Sequence, residues 1–324
     1  MERKANQEVL VVEREDHGPS CPSFSPAIIR DRHIAFSTIQ SPKKMFQKLI
    51  LLLVLQSWTY VDALSPKNNK MVFEAIQLEY SEMASWYDWF WKSYTHETLK
   101  IPLDIVASEE VETFAKRRAM TVVDVACGTG EFLRRFRSNT FDQNFPKHRL
   151  RLFGVEPCKA MLDQARPKLL DQSSLSHSPR TQLALRQAPA ERLPLRSQSA
   201  DVVVSTNAFH FFRNKIQALS EMKRVLKDNT GTLVITDWCQ NYWMVKMYHL
   251  LECIRWNGRF SEQYPGPLSR QNLVQLLTEA GFVVQKHKCY LVRVFVIFPW
   301  GMQTIVARKK GKRKVEKTTR GISE

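Results

Sequence analysis

The chain has 324 residues, 44% hydrophobic and 25% charged side chains, and a formal net charge of +16. That apolar share suffices for a packed core, which excludes a wholly unfolded chain, and the length allows one large domain or two small ones. The six cysteines, Cys21, Cys127, Cys158, Cys239, Cys253 and Cys289, form no C-x-x-C pair and no Cys/His spacing suited to structural zinc, which argues against a disulfide scaffold and against a metal site.

Residues 1–69 read as a leader. Within them Met45 opens MFQKLILLLVLQSWTYVDALS, with Lys48 as a basic flank, an unbroken apolar core from Leu49 to Leu55, and small residues at Val61-Asp62-Ala63. This is the anatomy of a targeting signal; an ordinary amphipathic or core helix over 45–64 is the competing expectation. Gln56, Ser57 and Thr59 interrupt the run too early for a bilayer-spanning helix, which needs about 20 apolar residues, so no stable membrane span is expected. Buried cysteines suit a reducing, intracellular compartment, and residues 45–63 are the segment that would redirect the chain to an organelle or the secretory pathway.

From Thr121 onward, short β-branched runs alternate with helical stretches. Strands are expected at Thr121–Ala126, Arg151–Glu156, Gln182–Gln187, Asp201–Thr206, Thr232–Asp237, Val283–Leu291 and Thr304–Arg308. Helices are expected at Glu131–Arg137, Lys159–Leu170, Lys215–Lys227 and Ser269–Ala280, the last capped by Ser269 and stopped by Gly281. This is the order of an α/β domain over 70–308: a Rossmann-like, doubly wound, mostly parallel seven-stranded sheet with an antiparallel last strand and helices on both faces. Polar stretches at Ser138–Lys147 and Asp171–Arg180 read as surface loops. Residues 309–324 complete a run in which eight Lys or Arg between Arg308 and Arg320 face only Glu316, a solvated tail before it is a binding patch for acidic partners.

The informative segment is Val122-Val123-Asp124-Val125-Ala126-Cys127-Gly128-Thr129-Gly130, an apolar strand running into a glycine-containing turn and then a helix. Glycines there let a backbone approach a nucleotide cofactor at the carboxyl end of a sheet. A dinucleotide site would continue G-x-G-x-x-G, but the next residues are Glu131, Phe132 and Leu133, and a carboxylate at Glu131 would oppose a pyrophosphate. S-adenosyl-L-methionine has no phosphate and carries a sulfonium and an ammonium group, so an acid nearby suits it. One strand later, Phe153-Gly154-Val155-Glu156 ends in a carboxylate able to accept from both hydroxyls of a ribose.

DVACGTG, FGVEPCKAMLDQAR, QAPAERLPLRSQSADVVVSTNAFHFF and EMKRVLKDNTGTLVITDW, in this order over residues 120–240, resemble the class I S-adenosylmethionine-dependent methyltransferases. The branch most similar is that of ubiquinone and menaquinone biosynthesis, a methyltransferase type 11 domain. Tyr80-x-x-x-Ala84-x-x-Tyr87-Asp88 also resembles that branch, in which a helix ahead of the first strand folds over the cofactor. The resemblance implies that Asp124, Ala126, Gly128 and Gly130 surround the methionine end of S-adenosyl-L-methionine. It implies further that Glu156 holds the ribose, and that Tyr87, Ala190 and Asn207 line the same site. The chain departs from the pattern at Pro189, where the family carries an acid that binds the adenine amino group. Either the backbone around Ala188 and Ala190 takes that role, or adenine is held more loosely. Ala126 stands where the family has its first glycine.

Methyl transfer from a sulfonium needs alignment of nucleophile and methyl carbon more than it needs a metal. A phenol, enol or thiol nucleophile also profits from a base, and His210, just past the fourth strand, is the candidate at the substrate rim; packing beside Phe209, Phe211 and Phe212 is its structural alternative. His249, His287 and Tyr242 are weaker candidates. The aromatic segment DWCQNYWMVKMYHLLECIRW reads either as a substrate lid for an apolar, lipid-like acceptor or as a helix packed on the sheet. The expected partner is thus a small or lipid-like methyl acceptor. Two further readings stay open: an RNA-directed methyltransferase using the basic surface, and a non-catalytic methyltransferase-like interaction protein.

Overall fold

A computed structural model of the chain describes residues 71–108, 119–137, 149–170, 181–255, 266–294 and 298–310. The leader, the loops expected at 138–147 and 171–180, and the tail beyond residue 310 lie outside the described residues. Two helices, α1 (Met71–Met83) and α2 (Tyr87–Ser108), precede the alternating part. There follow β1 (Ala119–Val125), α3 (Glu131–Arg135), β2 (Arg149–Glu156), α4 (Lys159–Leu170), β3 (Thr181–Gln187) and β4 (Val202–Thr206). After a 3₁₀ turn at Phe209–Phe211 come α5 (Lys215–Val225), β5 (Thr232–Trp238), α6 (Trp243–Arg255), α7 (Arg270–Glu279), β6 (Phe282–Val294) and β7 (Phe298–Lys309).

The strands form one seven-stranded sheet in the order β3-β2-β1-β4-β5-β7-β6, in which β7 runs antiparallel to both its neighbours and the remaining pairings are parallel. This is the doubly wound sheet with an antiparallel last strand that the alternation implied. Its two faces can be read off β1, because side chains of a strand alternate sides. Val122 packs with Leu99 and Val106 of α2, Phe132 and Leu133 of α3, and Leu162 and Leu169 of α4. Val123 and Val125 pack instead with Leu219 and Met222 of α5 and with Leu273 and Leu277 of α7. Burial on both faces is why the central strands are continuous apolar runs rather than alternating ones. At the amino edge, Asp201 accepts the Thr121 backbone N–H at 2.9 Å and both its oxygens lie 2.7 Å from Lys227 Nζ, which locks the starts of β1 and β4 to the end of α5.

The helix punctuation acts as written: Ser269 Oγ accepts the Asn272 N–H at 3.2 Å, and Gly281 leaves α7 with φ +80°. The last strand differs from expectation, since β7 begins at Phe298 and not at Thr304. Pro299 and Gly301 look like strand breakers, but Pro299 sits near the start of the strand, where a missing N–H is tolerated. Gly301 is needed for close packing: a Cβ there would come within 2.1 Å of the Tyr242 ring.

Candidate functional site

The carboxyl ends of β1, β2 and β4 converge on a sharply bent turn. Ala126, Gly128 and Gly130 all adopt left-handed backbone, at φ 60°, 53° and 77°, and Asn207, after β4, does so at φ 56°. A methyl-bearing residue at φ 60° is strained, so the position of Ala126 explains a glycine preference there and shows that the alanine adds more than bulk. The two glycines are needed for different reasons. A Cβ on Gly130 would lie 2.5 Å from Leu169 Cδ1 of α4, whereas one on Gly128 would meet nothing within 4 Å, because that glycine faces open space.

The open space is a cavity of ≈ 130 Å³ between the turn and the first two helices. Its base is the turn with Glu156 and Asn207; Gln77 and Tyr80 of α1 and Tyr87 of α2 cover it. Pro189, Ala190 and Glu191 close one end, and Phe211 and Phe212 another. Glu156, at the end of β2, shapes the turn from below: its Oε2 accepts the Gly128 N–H at 2.9 Å and its Oε1 the Cys158 N–H at 2.9 Å. Each carboxylate oxygen retains a further lone pair for a ligand hydroxyl. Asn207 is fixed by α2, donating from Nδ2 to Thr98 Oγ1 at 2.9 Å and accepting from the Tyr94 hydroxyl at 3.1 Å.

The electrostatics of the cavity are one-signed. Its lining among the described residues contains Glu131, Glu156 and Glu191 and no Lys, Arg or His. Burial pushes the Glu156 carboxyl up to about 7, against the opposing pull of its two backbone N–H partners. Asp124 lies next to it on β1, 1% exposed, with neither carboxylate oxygen hydrogen-bonded. Burial, aided by the charge of Glu156, raises its carboxyl to about 8. Glu131 is the opposite case: burial would raise it, but the hydrogen bonds from Arg134 and Arg135 outweigh that and hold it at about 2. Of these acids, Glu131 stays ionised beside its two arginines, whereas Glu156 and Asp124 ionise readily only if something positive arrives. A pyrophosphate would find no cation among the described lining residues; a sulfonium with an ammonium group would find four acids in or beside the cavity, Glu131, Glu156, Glu191 and Asp124. Tyr80 and Tyr87 have raised pKa values, burial being the main cause, and act as neutral hydroxyls.

The methyltransferase domain family matches residues 123–235, from the middle of β1 to the middle of β5. The ubiquinone/menaquinone biosynthesis C-methyltransferase UbiE of Campylobacter jejuni strain 81-176 is 24% identical over 208 residues, covering 59% of this chain and 83% of its own. That of strain 81116 is 23% identical over 245 residues, covering 69% and 96%. The chain is a class I S-adenosylmethionine-dependent methyltransferase. Among solved structures it is similar to the YcgJ protein of Bacillus subtilis, with 15% identity, 67% of this chain and 100% of that one covered, and a TM-score of 0.48. A methyltransferase of Methanosarcina mazei gives 17% identity, 60% and 95% coverage, and a TM-score of 0.47.

In this methyltransferase, Tyr87, Ala126, Gly128, Glu156, Ala190 and Asn207 all line the cavity. Two others stand just outside it. Asp124 lies behind the turn beside Glu156, and Gly130 faces Leu169, so its contribution is to let α4 support the turn. His210 requires a correction, because it is not at the substrate rim. It is fully buried, its Nδ1 lies 2.5 Å from Asp237 Oδ1 at the end of β5, and its ring stacks on Trp238 with centroids 4.0 Å apart. The 3₁₀ turn after β4 points Phe211 into the cavity and His210 into the sheet, so the histidine joins the ends of β4 and β5. His249, His287 and Tyr242 do not line the cavity either; His287 bonds Gln303 Oε1 at 3.0 Å and Tyr242 packs over Gly301.

Within the aromatic segment after β5, Trp243–Arg255 folds as α6, and none of the segment's described residues lines the cavity. Sequence reasoning did not single out Gln77, Thr129 or Phe212 as cavity residues, nor Asp88 as a tether. Asp88 accepts from Thr129 Oγ1 at 2.5 Å and pairs with Lys168 of α4. The one available signal was the Tyr87-Asp88 pair, which marks that helix turn without saying what the carboxylate meets.

Proposed function

We propose that S-adenosyl-L-methionine binds in the cavity at the Ala126–Gly130 turn and that its methyl group is transferred in line to a small or lipid-like acceptor entering on the Phe211 side. The observation that carries this reading is the lining: three glutamates, no basic side chain among the described residues, and an open face at Gly128. The bound cofactor supplies an electrophilic methyl group on a cationic sulfur. Every other contribution is the protein's. Glu156, already oriented by the Gly128 and Cys158 N–H groups, accepts the ribose hydroxyls. Asp124, which lacks a hydrogen-bond partner of its own, and Glu131 supply the negative field at the methionine end. Pro189 cannot offer a carboxylate to adenine, so the backbone around Ala188 and Ala190 takes that place.

For the acceptor, Tyr80, Tyr87, Phe211 and Phe212 give the cavity an aromatic wall with two neutral hydroxyl donors, which suits a flat, largely apolar molecule carrying an oxygen function. The similarity to UbiE, whose name specifies quinone C-methylation, makes a quinone-like acceptor the first to test. The deciding experiment has two stages. Calorimetry with S-adenosyl-L-methionine should show one-site binding to the wild-type protein; absence of binding would overturn the proposal. Transfer of labelled methyl groups is then assayed against quinol precursors, small phenols, fatty acids and RNA, and label appearing only in RNA would replace the acceptor class.

A further inference from the structure

Two sets of contacts hold the helices that cover the cavity, and they differ in kind. From its third turn onward α2 belongs to the core: Tyr94, Thr98, Leu99 and Val106 are buried, and Thr98 and Tyr94 bond Asn207. The start of α2 and the whole of α1 are attached more lightly. Trp86, between the two helices, is 38% exposed, and Trp89 is 63% exposed. α1 meets the sheet domain through Met83, with Ala84 just after it, against Met161, through Tyr80 edge-on to Phe211 with centroids 5.5 Å apart, and through Ser81 Oγ, 3.3 Å from Cys158 Sγ. A charged tie at this end is Asp88, on the first turn of α2. One of its oxygens accepts the hydroxyl of Thr129, inside the glycine turn, and the other meets Lys168 of α4, the helix whose Leu169 packs on Gly130.

Tyr80 and Gln77 on α1 and Tyr87 on α2 lie over the cavity, while Thr129 is part of its base, so Asp88 bridges cover and base at the point where they meet. We infer that Asp88 is a clasp: with Thr129 and Lys168 it holds the α1–α2 pair shut over the cofactor, and the opening of this clasp sets the rate at which cofactor and its demethylated product exchange. The inference rests on the proposed cofactor site, and it makes Asp88 a positioning residue that need not touch the ligand. Because Asp88 and Lys168 are 45% and 26% exposed, the pair is open to screening by salt, which a purely packed cover would not be.

The test uses the full chain and two readouts. Release of S-adenosyl-L-methionine is followed by stopped-flow displacement, and backbone hydrogen exchange of residues 71–92 is followed in the ligand-free protein. Asp88→Asn should release the cofactor about ten-fold faster, which is the effect of losing one charge-assisted hydrogen bond. Lys168→Gln, a milder change that leaves the Thr129 bond in place, should speed release about three-fold and abolish its dependence on ionic strength. Both variants should exchange faster over α1 and the first turn of α2 and not over residues 94–106. Unchanged release and unchanged exchange in Lys168→Gln would overturn the clasp, and that surface variant serves if Asp88→Asn does not fold. If wild type binds no cofactor, the binding-site reading fails, while hydrogen exchange in the two variants still decides whether the clasp exists.

Discussion

The two ends of the sheet are built differently. From β1 to β4 the carboxyl edge is bent, strained and acidic: of four residues with left-handed backbone, Ala126, Gly128 and Asn207 line a cavity and Gly130 backs it, and beside it the buried Asp124 carboxyl has no hydrogen-bond partner. From β5 to β7 the same edge is filled. Trp238 stacks on His210 and meets Tyr248 and Trp300 edge-on, with centroids 5.3 and 5.1 Å away, and Tyr94 and Met302 complete the cluster. Strain and unpaired carboxyls cost stability and persist where a ligand relieves them; filled aromatic clusters add stability and need no ligand. The comparison therefore predicts that substitutions in the first region change binding, and those in the second change folding.

The largest effect in the first region should come from Gly128→Arg. The open space beside that glycine is the cavity itself, so a long side chain at φ 53° fills it while disturbing little else. Cofactor affinity should fall by more than about 100-fold with the melting temperature changed by only a few degrees, measured by calorimetry and thermal unfolding. Its counterpart in the second region is His210→Ala. It removes a buried ring and leaves the Asp237 carboxylate alone in the sheet, which should cost about 3 kcal/mol of stability. Cofactor affinity of the protein that still folds should stay within about three-fold. A catalytic role at the rim would give the reverse, normal stability with lost methyl transfer.

That contrast also explains what could be read from the chain. The strands from β1 to β5, α4 and α7 lie within two residues of expectation at each end, because apolar runs, Ser269 and Gly281 act locally. Ala126, Gly128 and Glu156 line the cavity because a glycine turn and a strand-end acid are constrained by short-range geometry, whereas Tyr87, Ala190 and Asn207, which also line it, are pointed to only by the family resemblance. His210 misled because the 3₁₀ turn Phe209–Phe211 rotates successive side chains to opposite sides, and nothing local tells which of His210 and Phe211 faces in. β7 starts early because Phe298, Pro299 and Gly301 pair with Val294, Arg293 and Leu291 of β6 although Pro299 and Gly301 read locally as strand breakers, and Asp88 meets Lys168 80 residues away, which no local pattern reports.

Glu156→Gln should be smaller than Gly128→Arg. The amide keeps one acceptor but presents an N–H toward either Gly128 or Cys158, both donors, so the turn loosens as well as losing a ribose partner. Affinity should fall about 10- to 50-fold, the range for one charged hydrogen bond and a mispaired neighbour. A loss below two-fold would mean that the ribose lies elsewhere.

The pH dependence sharpens the comparison further, because the first region contains two strongly raised carboxyls. Asp124 and Glu156 titrate at about 8 and about 7 in the folded protein, above ordinary carboxyl values. The folded state therefore holds more protons than the unfolded one between those ordinary values and about pH 8, so their contribution to stability falls as pH rises through that window. A cationic ligand reverses the preference by favouring the ionised forms. Affinity for S-adenosyl-L-methionine should rise several-fold from about pH 6 to about pH 8.5 and then level off, with proton release on binding at the lower pH. Asp124→Asn should flatten the upper part of this rise and raise the stability of the ligand-free protein at high pH. A flat affinity profile in wild type would show that the two carboxyls do not feel the ligand's charge.

The smallest expected effect is on the outer face of α6. Trp243, Met247, Leu250 and Leu251 recur at helical spacing and are 67%, 46%, 52% and 59% exposed, while Val245 and Tyr248 turn inward. Trp243→Ser therefore removes little buried area and should change stability by no more than about 0.5 kcal/mol, and cofactor affinity by less than two-fold. The variant is informative because of what it leaves intact. If methyl transfer to an apolar acceptor drops while cofactor binding and melting temperature stay at wild-type values, the exposed stripe takes part in delivering the acceptor, and the second region is more than a scaffold. If transfer is also unchanged, the functional work is confined to the strained edge from β1 to β4, and the filled edge serves to hold the ends of β4 and β5 together through His210 and Asp237.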